Sequence, residues 1–413
     1  MAGLSCGDRP CTAIDVPAST KQSDDEQGVN GSAQTFAMQI ATHVQRIAKR
    51  LQQIAKRIHA TVIRAGTAAG YLHPNRRSGG RTIGEIRMLN RTMIAATMLA
   101  CASLASPATA AGPNAFEFVA LGDMPYTLPA DYAKFDRVIA AVNAIKPAFT
   151  LHVGDIKSGS SPCSDANFQK VFDQFASFEQ PLVYTPGDNE WTDCYRPRAG
   201  GFDPLERLAK VRQMFYPAPG MSLGKNPMPV ESQAKAMADK FGAFVENSRF
   251  VKNGVYFASA HVVGSNNNFE PGKPETAMEY FARDAANIAW IADTFAKAKA
   301  ANAKAVVLFW QADVQDIRQK EPEMPRASAF VNTVEAVEAG AKDFPGRVLV
   351  IHGDEHIFQI TPFMNAKYKP IPRVTRLEVM GANHVHAVRI TVDPDTAGVF
   401  GFTPILVPEN GDM

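Results

Sequence analysis

Short β-rich runs that end in polar residues constrain the fold of this 413-residue chain more than any other feature. The five run ends are GDMPY (122–126), GDIKSG (154–159), GDNEW (187–191), WQAD (310–313) and HGDEH (352–356). One Gly-Asp pair alone is ordinary turn chemistry, because Gly and Asp are favoured at turns and helix N-caps. Five such ends, four of them with Gly-Asp, indicate an open α/β sheet whose strand ends carry ligand-binding groups.

The order of elements along the chain supports an α/β fold. The predicted strands are FEFVALG (116–122), PAFTLHVG (147–154), PLVYTPG (181–187), GVYFASAHVVG (254–264), KAVVLFW (304–310) and RVLVIHG (347–353). Helical patterns lie near residues 131–145, 165–178, 203–215, 276–300 and 327–343. This alternation predicts a sheet with helical crossovers. After residue 355 only strands follow, which predicts a second, antiparallel sheet packed on the first.

Charge is distributed unevenly along the chain. Residues 1–110 contain 13 Lys/Arg against 6 Asp/Glu, a net charge of +7, whereas residues 111–413 contain 30 against 35 and carry −5. Hydrophobic residues make up 46% and charged residues 20%, as expected for a soluble globular protein. A mildly acidic body argues against nucleic-acid binding, which needs a basic surface.

Residues 88–110 have the layout of a secretory signal peptide. Arg91 precedes an apolar core, residues 92–105, and the triplet Ala108-Thr109-Ala110 supplies an A-x-A cleavage site. The core is shorter than the roughly 20 residues of a membrane-spanning helix. We therefore predict cleavage after Ala110, export to the periplasm or medium, and a mature chain, residues 111–413, without a membrane span.

An internal signal peptide leaves the N-terminal extension, residues 1–87, to be explained. Translation starting at Met88 or Met93 is one explanation, with the extension a mis-assigned start. The other is a real extension that contains a basic amphipathic helix suited to an anionic membrane surface. The first is preferred, because a signal core is expected at an N-terminus.

Two cysteines remain after the predicted cleavage, Cys163 and Cys194. An even pair in an oxidising compartment predicts one disulfide, and two unpaired buried thiols are the alternative. The bridge would tie the second and third polar loops together and help to pre-organise them.

The Gly-Asp loops predict a metal site. Carboxyl ends of neighbouring strands meet at one edge of an open sheet, so Asp123, Asp155, Asp188 and Asp354 are expected close together. Clustered carboxylates raise one another's pKa unless cations neutralise them. Metal binding is therefore the simplest interpretation.

In motif order, the chain resembles the calcineurin-like metallophosphoesterases. Their motifs are Asp-x-His, Gly-Asp, Gly-Asn-His-Glu/Asp, a lone His and Gly-His-x-His, each at a strand end of a two-sheet β-sandwich flanked by helices. The resemblance spans residues 116 to about 360 and the strands beyond. It implies metal ligands at Asp123, Asp155, Asp188, Gln311, Asp354 and His356, with Asn189 at the position of the histidine that assists the leaving group.

The chain departs from the family at several ligands. Pro125, Asn189, Gln311 and Asp354 each replace a His, and only His356 is kept. Oxygen ligands favour hard cations, so we expect one or two Mn²⁺ or Mg²⁺ ions over zinc.

The resemblance implies hydrolysis of small phosphate esters by a metal-activated water. Asn189 cannot act as a general acid. The candidates for that role are His352, Glu190, His384 and His386, although a buried structural role is the simpler interpretation of each.

Other polar residues near the motifs have two interpretations. Lys157 and Arg196 are candidate phosphate contacts or solvated surface charges. Tyr126 is either an extra oxygen ligand or a packing ring. The alternative to an enzyme is a non-catalytic protein of the same fold that binds a ligand or a structural cation.

Overall fold

The computed structural model describes residues 112–315, 323–325 and 328–411. The predicted signal peptide, residues 88–110, and the extension, residues 1–87, lie outside these ranges and stay predictions. No helix of the described residues is long and apolar enough to cross a membrane.

Two mixed sheets organise the described chain. The strands are β1 (Phe116–Leu121), β2 (Thr150–His152), β3 (Leu182–Tyr184), β4 (Glu231–Ser232), β5 (Ser248–Lys252), β6 (Val255–Ser259), β7 (Ala305–Phe309), β8 (Arg347–His352), β9 (Gln359–Met364), β10 (Pro370–Glu378), β11 (Ala387–Asp393) and β12 (Val399–Ile405). The first sheet has the order β12-β11-β1-β2-β3, and the second has the order β4-β5-β6-β7-β8-β10-β9. Within them, β1, β2 and β3 are parallel, as are β6, β7, β8 and β10.

The predicted division of strands between the sheets was wrong. The late strands do not form a sheet of their own: β11 and β12 extend the first sheet, and β9 and β10 extend the second. The early strands are divided in the same way, with β1 to β3 in one sheet and β6 to β8 in the other. Strand existence follows from local composition, whereas the pairing partner depends on contacts far apart in sequence.

Helices cover the outer faces of both sheets. Their bounds are α1 (Ala130–Ile145), α2 (Asp165–Phe175), α3 (Pro204–Phe215), α4 (Gln233–Ala236), α5 (Ala238–Phe241), α6 (Pro274–Ala300) and α7 (Val331–Asp343), with 3₁₀ turns at Thr192–Tyr195, Pro197–Ala199 and Pro408–Asn410. Side-chain caps fix two of the helix starts: Ser164 accepts from the backbone N–H of Asn167, and Asp203 from that of Glu206.

Alternation along the strands builds three apolar layers. On β1, Phe118 points between the sheets, whereas Val119 packs under helices α1, α2 and α3. On β7, Val307 faces the space between the sheets and Val306 packs under α6 and α7. The fold is therefore the expected two-sheet sandwich flanked by helices, and its strands bring their carboxyl ends to one edge.

Candidate functional site

Carboxylates from four strand ends meet at this edge, across both sheets. Asp123 follows β1, and its Oδ1 accepts the backbone N–H of Asp354, after β8, at 3.0 Å. A Cβ on Gly264 would lie 2.9 Å from both Asp188 Oδ2 and Asp354 Oδ1, so these two carboxylates face the same glycine. Asp155 is joined to the group through hydrogen bonds to its neighbours. In the part of the chain that the structure describes, the four aspartates therefore lie close together, as predicted.

Glycine precedes Asp188 and Asp354 because, in each case, a neighbouring carboxylate occupies the space that a side chain would need. A Cβ on Gly187 would lie 2.0 Å from Asp155 Oδ1, and one on Gly353 would lie 1.9 Å from Asp123 Oδ2. Two such contacts are far below any permitted separation, so the Gly-Asp pattern is a packing requirement as well as turn chemistry.

The site aspartates have unusual backbone conformations. The φ angles of Asp123, Asp155 and Asp354 are 52°, 57° and 84°, in the left-handed region that few residues other than Gly, Asn and Asp enter. His356, with φ of 64°, shares this conformation. Left-handed residues gathered at one edge are typical of a functional site.

Tyr126 lies among the residues of the cluster. The sequence left open whether its ring only packs or its hydroxyl takes part in the site. Its hydroxyl donates to Asp155 Oδ2 at 2.6 Å and lies 2.9 Å from Asn189 Nδ2 and 3.2 Å from His356 Nε2. Packing of the ring alone therefore does not account for the three polar contacts of the Tyr126 hydroxyl. The signal was its position three residues after Asp123 in GDMPY.

Two amides, Asn189 and Gln311, stand at positions where the resemblance implies histidines, and both act as donors. Asn189 Nδ2 donates to Asp155 Oδ2 at 2.6 Å. Gln311 Nε2 lies 2.9 Å from Asp354 Oδ1 and 3.3 Å from Asp155 Oδ2, while its Oε1 accepts from Gly264 N at 2.6 Å. In this orientation Gln311 offers the cluster N–H groups, and its predicted role as a metal ligand stays a prediction.

Three carboxyl groups of the cluster, those of Asp123, Asp155 and Asp354, resist ionisation. Burial, followed by the charges of Asp188 and Glu190, raises the pKa of Asp155 well above its usual value. Burial and then the charge of Asp188 do the same to the pKa of Asp354. Burial also raises the pKa of Asp123, against the opposing effect of His356. The site therefore carries an excess of acidic groups for the cations that its own side chains provide.

His356 is the one imidazole of the predicted ligand set. Its Nε2 lies 3.6 Å from Asp123 Oδ1. Burial disfavours the imidazolium, but the nearby carboxylate of Asp123 outweighs it and raises the pKa of His356. The neighbouring carboxylate therefore favours the cationic form of His356 in the metal-free site.

Two of the proton-donor candidates, Glu190 and His352, are buried next to the strand-end loops, whereas His384 is only partly buried and His386 accepts from Val407 N. Glu190 Oε1 accepts from the Tyr184 hydroxyl at 2.6 Å and from Gly187 N at 2.7 Å, so Glu190 holds the GDNEW loop. Its pKa is raised by burial. His352 Nδ1 lies 2.8 Å from Gly353 O, and burial lowers the pKa of this imidazole well below its usual value. Both positions suit structural roles, and their catalytic roles stay predictions.

The two predicted phosphate contacts differ in exposure. Lys157 is 1% exposed and donates to Ser158 O at 2.9 Å, and burial lowers its pKa. Arg196 is 44% exposed and forms an ion pair with Asp193 at 2.5 Å. Arg196 therefore lies at the solvent side of the site, and Lys157 is enclosed within it.

The predicted disulfide between Cys163 and Cys194 is present. Both sulfur atoms lie against the carbonyl oxygen of Asn189, at 3.6 and 3.7 Å. The bridge therefore supports the loop that carries Asn189.

The donor set has the chemistry of a site for a hard divalent cation. Asp123 Oδ2 is buried and has no hydrogen-bond partner among the described residues. Carboxylate oxygens with one imidazole suit Mg²⁺ or Mn²⁺. As the side chains stand, however, no three His, Cys, Asp or Glu groups in the described ranges are arranged to hold a metal ion. Tyr126, Asn189 and Gln311 satisfy Asp155 by hydrogen bonds instead.

Comparison with known proteins finds similarity in solved structures alone. No protein-family model matches the sequence, and no curated protein matches it. A dimetal phosphatase from Danio rerio is 9% identical with a TM-score of 0.43, covering 70% of this chain and 98% of that one. A purple acid phosphatase from yellow lupin is 12% identical with a TM-score of 0.40, over 71% and 54% of the two chains.

A third similar structure is a 5'-nucleotidase from Candida albicans, 12% identical with a TM-score of 0.39, over 71% of this chain and 52% of that one. Similarity at this level of identity and TM-score does not indicate the activity of the chain or the roles of its residues. The resemblance to the calcineurin-like metallophosphoesterases concerns the fold, and the two-sheet fold is established by the strand order of the chain itself.

Proposed function

We propose that the protein is a hydrolase of phosphate esters that depends on a divalent cation. One observation carries the proposal: four strand-end aspartates and one histidine from both sheets converge, with a buried carboxylate oxygen of Asp123 left unpartnered in the described residues. Such an excess of buried acid is stabilised by a bound cation.

The residues that would hold the cation are Asp123, Asp155, Asp188, Asp354 and His356. A divalent cation at this site supplies Lewis-acid chemistry, lowering the pKa of a water molecule and neutralising phosphate charge. The oxygen-rich donor set favours Mn²⁺ or Mg²⁺ over zinc.

Neutral donors at the centre of the site complement an anionic substrate. The Tyr126 hydroxyl and the Asn189 amide present N–H and O–H groups beside Asp155. If Asp155 served as a cation ligand, these two groups would be available to donate to phosphate oxygens. Arg196, exposed at the solvent side, is suited to attract the same charge.

The test combines metal analysis with turnover. The purified protein is assayed with 4-nitrophenyl phosphate and bis(4-nitrophenyl) phosphate, with Mn²⁺, Mg²⁺ or Zn²⁺ added after chelation. We expect one or two metal equivalents per chain and activity with Mn²⁺ or Mg²⁺ that Asp155→Asn abolishes. Asp239→Asn, at an exposed position of α5, is the matched control. Activity restored by zinc alone would contradict the metal assignment.

The second candidate function is non-catalytic binding of a ligand or structural cation. It is favoured by the three neutral side chains that satisfy Asp155 without a metal. Stoichiometric metal binding that raises the melting temperature, with neither ester hydrolysed, would support this function over the first.

We further propose that the protein is exported. The disulfide between two buried cysteines fits an oxidising compartment. N-terminal sequencing of protein from its native host tests this, with Ala111 expected as the first residue. Retention of residues 100–110 would contradict it.

A further inference from the structure

Residues 265–268, between β6 and α6, form a left-handed helical turn. Ser265 (φ 51°, ψ 44°) and Asn266 (φ 51°, ψ 43°) are followed by Asn267 and Asn268, with φ of 54° and 60°. L-amino acids disfavour this conformation, and it normally occurs at single residues. Three successive asparagines reduce its cost, because Asn enters the left-handed region more readily than other residues do.

A buried network holds the turn in place. Arg283, on α6, is fully buried and donates to both Asn267 Oδ1 and Asn267 O, at 2.5 and 2.9 Å. Its Nε also pairs with Glu279 at 2.6 Å. Asn266 Oδ1 accepts the backbone N–H of Ala329 at 3.0 Å. The strained backbone is therefore determined by several groups outside it, which is how strain persists at functional sites.

The turn presents a hydroxyl and a backbone N–H to the carboxylate cluster. Ser265 Oγ lies 2.7 Å from Asp188 Oδ2 and 3.2 Å from Asp193 Oδ1. Gly264 N donates to Gln311 Oε1 and so turns the Gln311 amide toward the aspartates. A Cβ on Gly264 would come within 2.9 Å of Asp188 Oδ2, which explains the glycine.

The Ser265 hydroxyl lies within hydrogen-bond distance of two carboxylates. Ser265 has a single O–H donor, and the shorter contact assigns it to Asp188. The donation engages Oδ2 of Asp188 and fixes the plane of its carboxylate. Groups of this kind, behind a metal ligand, typically change metal affinity by 10-fold to 100-fold when removed.

We propose that Ser265, held in the left-handed turn, is a positioning residue that orients Asp188 toward a bound divalent cation. The proposal rests on the proposed function in that Asp188 is taken as a cation ligand. It assigns a role to a segment outside the strand-end motifs.

Two substitutions separate the hydroxyl from the backbone. Ser265→Ala removes the hydroxyl and keeps a side chain in the left-handed conformation. Ser265→Gly removes the hydroxyl and also relieves the backbone, because Gly enters this region freely. The matched control is Ser160→Ala, because Ser160 is an exposed serine directly after the GDIKSG motif.

The measurement is Mn²⁺ affinity by isothermal titration calorimetry on the full chain, with the metal-free melting temperature recorded for each variant. We expect both Ser265 variants to bind Mn²⁺ about 10-fold to 100-fold more weakly than wild type, and Ser160→Ala to bind as wild type does. If Ser265→Ala fails to fold, the test rests on Ser265→Gly, because glycine adopts the left-handed conformation without strain.

The outcomes distinguish the two proposals. Wild-type affinity in Ser265→Gly overturns the role of the hydroxyl, even if Ser265→Ala is weakened, because the backbone alone then accounts for the loss. A wild-type protein that binds neither Mn²⁺ nor Mg²⁺ overturns the proposed function and this proposal with it. Weakened binding in both variants, with melting temperatures close to wild type, supports the proposal.

Discussion

The hydroxyl of Tyr126 donates to Oδ2 of Asp155, a predicted metal ligand, at 2.6 Å. The same oxygen also accepts from Asn189 Nδ2. Burial, followed by the charge of Asp155, raises the pKa of Tyr126 well above its usual value, so Tyr126 is a neutral donor. In the absence of a cation, neutral hydrogen bonds stabilise this buried acid.

Tyr126→Phe is therefore expected to destabilise the metal-free protein. Removing one donor from a buried acid costs about 1–3 kcal/mol. Urea unfolding in the presence of a chelator measures the loss, with Tyr195→Phe at an exposed tyrosine as control. An unfolding free energy equal to that of wild type would mean that the remaining donors suffice.

The raised carboxyl pKa values predict how stability depends on pH. Burial, followed by the charges of neighbouring carboxylates, raises the pKa of Asp155 and Asp354 far above 3.8. Burial and then Asp188 raise that of Asp193 to about 6. A group with a raised folded pKa contributes stability below its unfolded pKa and loses it as pH rises through the folded value. The contribution of these groups to metal-free stability should therefore fall as pH rises above about 4.

Asp354→Asn isolates this contribution from that of other groups. The substitution removes one of the repelling charges, so the variant should gain on wild type as pH rises from 4 to 8, by on the order of 1 kcal/mol, since one pKa unit corresponds to about 1.4 kcal/mol. Melting temperatures recorded with a chelator measure the difference in stability between Asp354→Asn and wild type at each pH. Saturating Mn²⁺ should close or reverse it, and a gap that is constant with pH would contradict the repulsion argument.

The disulfide should contribute to both the fold and the site. It closes a loop between Cys163 and Cys194, which are 31 residues apart, and both sulfurs contact Asn189 O. Replacing both cysteines with serine should lower the free energy of unfolding by about 2–4 kcal/mol. Guanidinium unfolding measures the loss, with wild type under the same reductant as control. Two titratable thiols in the unreduced, denatured mature chain, residues 111–413, would exclude the bridge.

The strand ends and their aspartates could be predicted from the sequence, because a β-rich run followed by Gly-Asp is a signal within a few consecutive residues. The positions of Asp123, Asp155, Asp188 and Asp354 at one edge followed from the geometry of parallel strands. The assignment of β11 and β12 to the first sheet did not follow, because strand pairing depends on contacts between residues far apart in sequence.

The central tyrosine and the left-handed turn were hidden for another reason. The orientation of Tyr126 depends on Asn189 and His356, which lie 63 and 230 residues away along the chain. The turn that contains Ser265 is held by Arg283, which donates to Asn267 from 16 residues further along the chain. Three asparagines in succession gave a weak local signal, since Asn is common in ordinary loops as well.

Gly187→Ala tests whether the Gly-Asp pattern is a packing requirement. The added methyl would lie 2.0 Å from Asp155 Oδ1 and 2.5 Å from the backbone N of Asp155, so the loop or the carboxylate must move. We expect a loss of about 1–3 kcal/mol in stability and of most of the metal affinity, because the moved group is a predicted ligand. Gly272→Ala is the control, since nothing lies within 4 Å of the Cβ that it adds. Urea unfolding and Mn²⁺ titration measure the two losses, and retention of both properties in Gly187→Ala would mean that the aspartate loops tolerate displacement.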